Sequence, residues 1–445
     1  SMHHGHCGWE GDDAPHQYQR CTQPPSRGAQ RFCPCGSARR LDPYSASGEP
    51  MVRVNLTAYP LAVCNDGTQA AYYWRPAKAG GEGTWYVHLE GGGQCHDKKS
   101  CDARPACLKS SKAYPEVLSK GGVFSPKSPV YKANQVYLPY CSSDAHIGNI
   151  GADDNYVGLH FRGMQIVHAT LRHLMDVRGL KDGDFVVFAG GSAGARGAMG
   201  HLDVLKAPYG PLPQGIRLLG FLDSPYFIDQ ATYEAPKATA TGALPKNLTN
   251  ETIEMLKMTN ATGLVSEPDC LKQLGEPWKC FFGEYRIPLL RTPFLLIASQ
   301  YDFFQFLENL HYYYFQNHTW PSPRQDYVDW TDGFAMATRA SLQKFLAHAT
   351  ESIAGVLSWT CYAHAESEGS NFYKLRAHGL SMADALEQAI ANVTQVGAGS
   401  SPMPIAIEEC IGMDCQRTCP YRYVCGAPPV EETHHKRHER LPLLL

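Results

Sequence analysis

Residues 184–194 read DFVVFAGGSAG, and the fold turns on how they are read. The run DFVVF has the length and apolar, β-branched content of a buried strand. It leads straight into Gly190–Gly194, which match G-x-S-x-G, the pattern of a nucleophile elbow. In that motif a strand turns abruptly into a helix, and the serine hydroxyl stands above the sheet edge. Glycines two before and two after Ser192 remove side chains that would collide in so tight a turn. A plain Gly-rich turn would share this composition. The strand before it and the helical pattern ARGAMGHLDVLKA (195–207) after it favour the elbow.

Outward from this stretch, the apolar runs TWYVHLE (84–90), QVYLPY (135–140), IRLLGFLD (216–223), PFLLIAS (293–299) and SIAGVLSW (352–359) also read as strands. Continuous apolar runs mean that both faces of the sheet are covered, as in a parallel sheet flanked by helices. GLHFRGMQIVHATLRHLMDVRG (158–179) and TRASLQKFLAHATE (338–351) supply helical periodicity between them, the first stopping at Gly179. This alternation predicts an α/β-hydrolase-like, open and mostly parallel sheet over residues 51–400. Residues 1–50 read as a cysteine-rich strap and 401–445 as a cysteine-rich segment with a basic tail. Residues 224–290 read as an insertion near the active face, a candidate cap or lid.

Sixteen cysteines point to disulfides in an oxidising compartment. Six Asn-x-Ser/Thr sequons, at Asn55, Asn247, Asn250, Asn260, Asn317 and Asn392, point the same way. The first residues, SMHHGH, carry no apolar leader, so a secreted, extracellular destination rests on cysteines and sequons. The cluster CIGMDCQRTCPYRYVC (410–425) lacks paired C-x₂-C spacing, so disulfides are favoured over zinc. The strap and the tail are each expected to carry local bridges, with Cys95, Cys101, Cys107 and Cys141 near the active face. A net charge of −3 gives no electrostatic reason to expect nucleic acid or an anionic membrane as partner. The basic run HHKRHER (434–440) could touch an acidic glycan, although a solvated tail is the plainer reading. No apolar run reaches the ~18 residues that a membrane helix needs.

A serine needs a base, and the base needs an acid to orient it. In α/β hydrolases both follow the serine in the chain, each after a strand. PFLLIASQYD ends at Asp302 and SIAGVLSWTCYAH ends at His364, in the required order. Asp223, closing IRLLGFLD, is the rival acid, and on the residues alone it stays open. The oxyanion hole needs backbone N–H groups aimed at the developing charge. HLEGGGQC (88–95) offers Gly91 and Gly92 for this, joined by the N–H of Ala193. Such chemistry calls for no metal and no organic cofactor.

WYVHLEGGGQC, VYLPYCSSD, FRG, GGSAGARG, SQYD and CYAH together resemble the pectin acetylesterase and Notum family of secreted serine hydrolases. The likeness runs from about residue 84 to 364. It implies Ser192 as nucleophile, Asp302 in preference to Asp223 as acid, His364 as base, and Gly91, Gly92 and Ala193 as the oxyanion hole. Within the family, Notum-type members carry Trp-Tyr before the cysteine where this chain has Gly93-Gln94. They also carry bulkier residues, including a Trp, where it has Ala145-His146. Gly93, Gln94, Asp144 and His146 are therefore candidates for the substrate pocket. The departures favour a small acyl group, acetate on a polysaccharide alcohol, over a Notum-like palmitoleoyl protein ester. A non-catalytic glycan- or lipid-binding relative is the third reading, disfavoured by an intact Ser–Asp–His set.

Overall fold

The computed structural model describes residues 8–9, 48–233, 248–261, 268–309, 325–348, 352–394, 402–413, 415, 419 and 423–424. Ten strands form one sheet: β1 (Met51–Asn55), β2 (Ala71–Arg75), β3 (Thr84–Leu89), β4 (Val117–Leu118), β5 (Asn134–Leu138), β6 (Phe185–Gly191), β7 (Arg217–Asp223), β8 (Phe294–Asp302), β9 (Ile353–Ala363) and β10 (Ile405–Ile407). Their order across the sheet is β10-β9-β8-β7-β6-β3-β5-β2-β1-β4. From β10 to β5 all neighbours are parallel. From β5 through β2 and β1 to β4 they are antiparallel.

The six strands expected from apolar runs are all present and belong to the parallel part. Every residue of β5, β6, β8 and β9 is buried, as helices on both faces require. The antiparallel edge and β10 lack that signal. Val52 and Val117, for example, are exposed apolar residues on β1 and β4. The covering helices are α1 (Gly163–His173), α2 (Ala193–His201), α3 (Leu248–Met258), α4 (Phe303–Asn309), α5 (Gln325–Ala347) and α6 (Met382–Thr394). After α1 a wider turn continues to Arg178, and Gly179 ends it at φ +88°.

Helix α2 lies unusually close to the sheet. A Cβ on Gly194 would stand 2.0 Å from the Leu89 carbonyl oxygen, so only glycine permits this approach. Asp184, expected within the strand, instead precedes it and accepts from the Trp85 indole N–H at 3.0 Å.

Disulfides join Cys64–Cys141, Cys95–Cys101, Cys270–Cys280, Cys361–Cys419 and Cys410–Cys415. The tail is thus only partly bridged within itself: Cys419 reaches back to Cys361 on β9, fastening the tail to the sheet. In the stretch 224–290, α3 and the short helix Pro268–Leu274 are followed by turns through Leu289. Asn55, Asn250 and Asn260 are exposed, while Asn392 is half-buried with its side-chain oxygen unpartnered. Asn247, Asn317, the basic run 434–440 and nearly all of the N-terminal strap lie outside the described residues.

Candidate active site

Parallel strands all end on the same side, so the loops after β3, β6, β8 and β9 converge over one edge of the sheet. Ser192 follows β6 directly and sits at φ 55°, ψ −122°, a strained conformation for a side chain with a Cβ. Its N–H donates to the Asp223 carbonyl at 2.9 Å, which ties the elbow to the neighbouring strand. A Cβ on Gly190 would meet the backbone of Gly194 at 2.3 Å, so the first and last glycines of the motif touch across the turn.

Ser192 Oγ lies 2.7 Å from His364 Nε2, and His364 Nδ1 lies 2.7 Å from Asp302 Oδ2. The nitrogen facing a carboxylate carries the proton, leaving Nε2 to accept from the serine hydroxyl. Asp302 is fixed in turn by the Gln305 N–H on its Oδ1, at 3.0 Å. Asp223, buried one strand away, does not bond the imidazole. Its Oδ2 accepts from the Ser367 N–H at 2.8 Å and its Oδ1 from the Ser224 hydroxyl at 3.1 Å. Burial pushes its carboxyl up, an effect opposed by those hydrogen bonds and by the neighbouring imidazole.

Aromatic rings enclose the imidazole. Phe304 and Phe227 stack on it with centroids 5.4 and 6.2 Å away, and Phe303 meets it edge-on at 5.3 Å. Phe303 and Phe304 follow Asp302 directly, a pairing with no motif to flag it in the sequence. The imidazole thus works in a largely water-excluded setting, where hydrogen bonds and charges act more strongly.

The loop Glu90–Cys95 stands opposite. A Cβ on Gly91 would lie 2.7 Å from the Gly191 carbonyl oxygen and 3.1 Å from Ser192 Cβ, so this backbone abuts the elbow. Among the described residues no protein acceptor takes the N–H of Gly91 or Gly92. Ala193 is the first residue of α2, where the N–H has no intrahelical partner. The loop is held from outside: Arg104 donates to the Gly92 carbonyl at 2.5 Å, the Cys95 N–H donates to the Ser143 carbonyl at 3.0 Å, and Cys95 is bridged to Cys101.

Two expected pocket residues fall elsewhere. Asp144 and His146 are buried beneath the loop and do not line the space over Ser192. Asp144 accepts from the Ser142 hydroxyl and from the N–H groups of His146 and Gly163, so it organises a tight turn with positive φ at Ser143, Ala145 and His146. His146 Nε2 lies 2.9 Å from the Glu90 carbonyl, just before Gly91. Burial drives its pKa down to about 4, which keeps the ring neutral and lets Nε2–H donate to that carbonyl. Both residues support the glycine loop from behind.

The recess over Ser192 is narrow and is walled by Gly93, Gln94, Ala193, Arg196, Phe227 and Phe304. Arg196 carried no signal in the sequence beyond its place one helical turn after the serine. It is 2% exposed, and burial lowers its guanidinium to about 9, so it remains cationic at neutral pH.

A family model described as Pectinacetylesterase matches residues 46–420. The chain belongs to the pectinacetylesterase family. Relatives include the palmitoleoyl-protein carboxylesterase notum2 of Xenopus laevis, 30% identical over 58% of this chain and 53% of its own length. Pectin acetylesterase 7 of Arabidopsis thaliana is 29% identical over 55% of this chain and 60% of its own. The chain thus spans little more than half the length of the curated relatives it matches. The structure of the Wnt deacylase Notum from Drosophila superposes with a TM-score of 0.67 at 25% identity, covering 84% of this chain and all of that one. The sheet described above is therefore the α/β-hydrolase-like sheet of the pectinacetylesterase family. No helix among the described residues is long and apolar enough to cross a membrane.

Proposed function

We propose that this chain is an extracellular serine carboxylesterase that removes short acyl groups, acetyl above all, from hydroxyls of a polysaccharide. The continuous line from Ser192 Oγ through His364 to Asp302, with two contacts of 2.7 Å, carries the reading. In the first half-reaction Ser192 Oγ attacks the ester carbonyl while His364 Nε2 takes its proton. The carbonyl oxygen gains negative charge facing the N–H groups of Gly91, Gly92 and Ala193. The C–O bond to the alcohol breaks, and the alcohol leaves with the proton from His364. Water, deprotonated by the same imidazole, then cleaves the acyl-enzyme to release the carboxylic acid and restore Ser192.

Gly93 and Gln94 line the recess where Notum-type members carry Trp-Tyr, and that departure supports a short acyl chain. Buried disulfides and exposed sequon asparagines support an extracellular setting. Ser192→Ala is expected to abolish 4-nitrophenyl acetate hydrolysis and fluorophosphonate labelling while leaving the melting temperature within a few degrees of wild type. Retained hydrolysis would sink the assignment. A chain-length series of nitrophenyl esters should peak at C2; a maximum at C8 or beyond would favour a lipid deacylase.

A further inference from the structure

Lys120 lies just past β4 and reaches both sides of the active edge. Its ammonium donates to Glu368 Oε2 at 2.8 Å, pairs with Glu90 Oε1 at 3.7 Å and packs over the Tyr137 ring, 4.2 Å from the centroid. Glu90 immediately precedes Gly91 in the glycine loop, and its other oxygen accepts from the Tyr140 N–H at 2.8 Å. Glu368 belongs to the turn that follows His364, and its Oε1 lies 3.1 Å from His88 Nε2. His88 is fully buried on β3, stacks on Tyr137 of β5 and lies 2.9 Å from the Tyr86 hydroxyl through Nδ1. One ammonium thus spans from the residue before the oxyanion donors to the turn after the base.

The backbone around Lys120 is seated on that same turn. The Val123 N–H donates to the Ser367 carbonyl at 2.9 Å. Gly122 has φ +54°, and a Cβ there would stand 2.2 Å from the same carbonyl oxygen, so no side chain fits between the two segments. The turn is itself strained, with Ala365 at φ 55°, and its course depends on such outside holds. Burial alone would raise the Glu368 carboxyl. The Lys120 ammonium, and then His88, outweigh that effect and hold it well below the usual carboxylate range. Two half-buried carboxylates, one on each side, therefore share a single ammonium. Without it they would stand unneutralised across the gap and push the loop and the turn apart.

We propose that Lys120 is a positioning residue for the ester hydrolysis, its ammonium setting the separation between the oxyanion loop and the turn that carries the base. Its effect runs through Glu90 to Gly91 and through Glu368 to His364. An oxyanion donor works only at hydrogen-bond distance from the developing charge, so a small change in that separation is felt in the rate. The inference rests on the esterase reading and adds to it a residue that no motif marks.

The test measures kcat and KM for 4-nitrophenyl acetate in wild type, Lys120→Met and Lys120→Arg. Turnover is expressed per site titrated to completion with a fluorophosphonate, so that unfolded protein does not count. Lys120→Met keeps the apolar stem over Tyr137 and removes the charge. It should lower kcat per site by about tenfold or more, because displaced catalytic groups lose much of their effect. KM should stay within about twofold of wild type, because the interactions lost are those made in the transition state. Lys120→Arg supplies a fork that donates to both carboxylates and should bring kcat back to within about threefold of wild type. A purely structural lysine would change the melting temperature and the number of titratable sites but leave kcat per site unaltered, and that result overturns the proposal. It falls too if the loss appears in KM alone, or if Lys120→Arg turns over no faster than Lys120→Met. Should Lys120→Met not fold, Lys120→Gln decides alone: its amide still donates to Glu368 but does not neutralise Glu90, and a kcat per site equal to that of wild type overturns the proposal. A wild-type protein that neither labels nor hydrolyses the ester overturns the esterase reading and the proposal with it. A labelled, active wild type with unaffected Lys120 variants overturns the proposal alone.

Discussion

Two buried aspartates close adjacent strands on the active edge, and they do different things. Asp223 ends β7 and Asp302 ends β8; they are 0% and 3% exposed. Asp223 pairs in register with Ile297. From Ile297, β8 runs on to Asp302, alongside β9, and Asp302 pairs with Ala363, the residue before His364. That extension carries one carboxylate to the imidazole and leaves the other behind it. Asp223 instead grips the turn that follows His364. The Ser224 hydroxyl, which donates to Asp223, accepts from the Ala365 N–H at 3.0 Å, and the Ser367 N–H reaches Asp223 directly. A carboxylate at a strand end is thus a candidate by position; how far its strand overhangs decides what it meets.

The largest expected effect comes from the longer strand. Asp302→Ala leaves His364 Nδ1 without its acceptor, and should lower kcat by about 10³–10⁴-fold with little change in KM, because tautomer and ring orientation are no longer fixed. Steady-state kinetics on 4-nitrophenyl acetate would show it. A loss of less than tenfold would mean that another acid orients the base, and Asp223 would be the first to examine.

Asp223→Asn should behave differently. The amide keeps one acceptor for Ser367 or Ser224 and loses strength at the other, so the cost falls on the 365–367 turn. We expect a destabilisation on the order of 1–2 kcal/mol by urea unfolding and a fall in kcat of no more than about tenfold. A drop matching that of Asp302→Ala, at unchanged stability, would break the distinction between the two residues.

The sequence exposed one half of this comparison better than the other. Strands buried on both faces write continuous apolar runs, so β3 and β5–β9 are plain, and the order Ser, Asp, His follows from their ends. In the antiparallel part β1 is half-solvated and β4 only two residues long, and with the largely buried β2 they escape a reading by apolar runs. Within the site, Ser192, Asp302 and His364 stand out because a motif or a strand end marks each of them. Phe227, Phe304 and Arg196 come to the site from a loop and two helices, and only their burial against the imidazole and the recess reveals them. Asp144 and His146 read as pocket residues because CSSDAH resembles a stretch in which Notum-type members carry bulkier side chains. Three successive hydrogen bonds to Asp144 turn that loop inward instead.

A subtler effect tests the region behind the histidine. Glu366 lies two residues past His364, is 9% exposed, and accepts from the Asn371 amide at 2.8 Å. Burial first, and then the nearby Asp223, push its pKa from 4.5 up to about 7, against the pull of the Asn371 bond. In this range the folded protein holds a proton that the unfolded chain releases. The stability Glu366 contributes is therefore complete below about pH 4.5 and lost as pH rises through 7, with an upper bound on the order of 3–4 kcal/mol. Glu366→Gln keeps the acceptor for Asn371 and cannot ionise. Relative to wild type it should gain stability between pH 5 and pH 8, read from urea midpoints at the two values. Equal slopes in the two proteins would show that Glu366 is already ionised at pH 5, so that the space behind His364 is more polar than its packing implies.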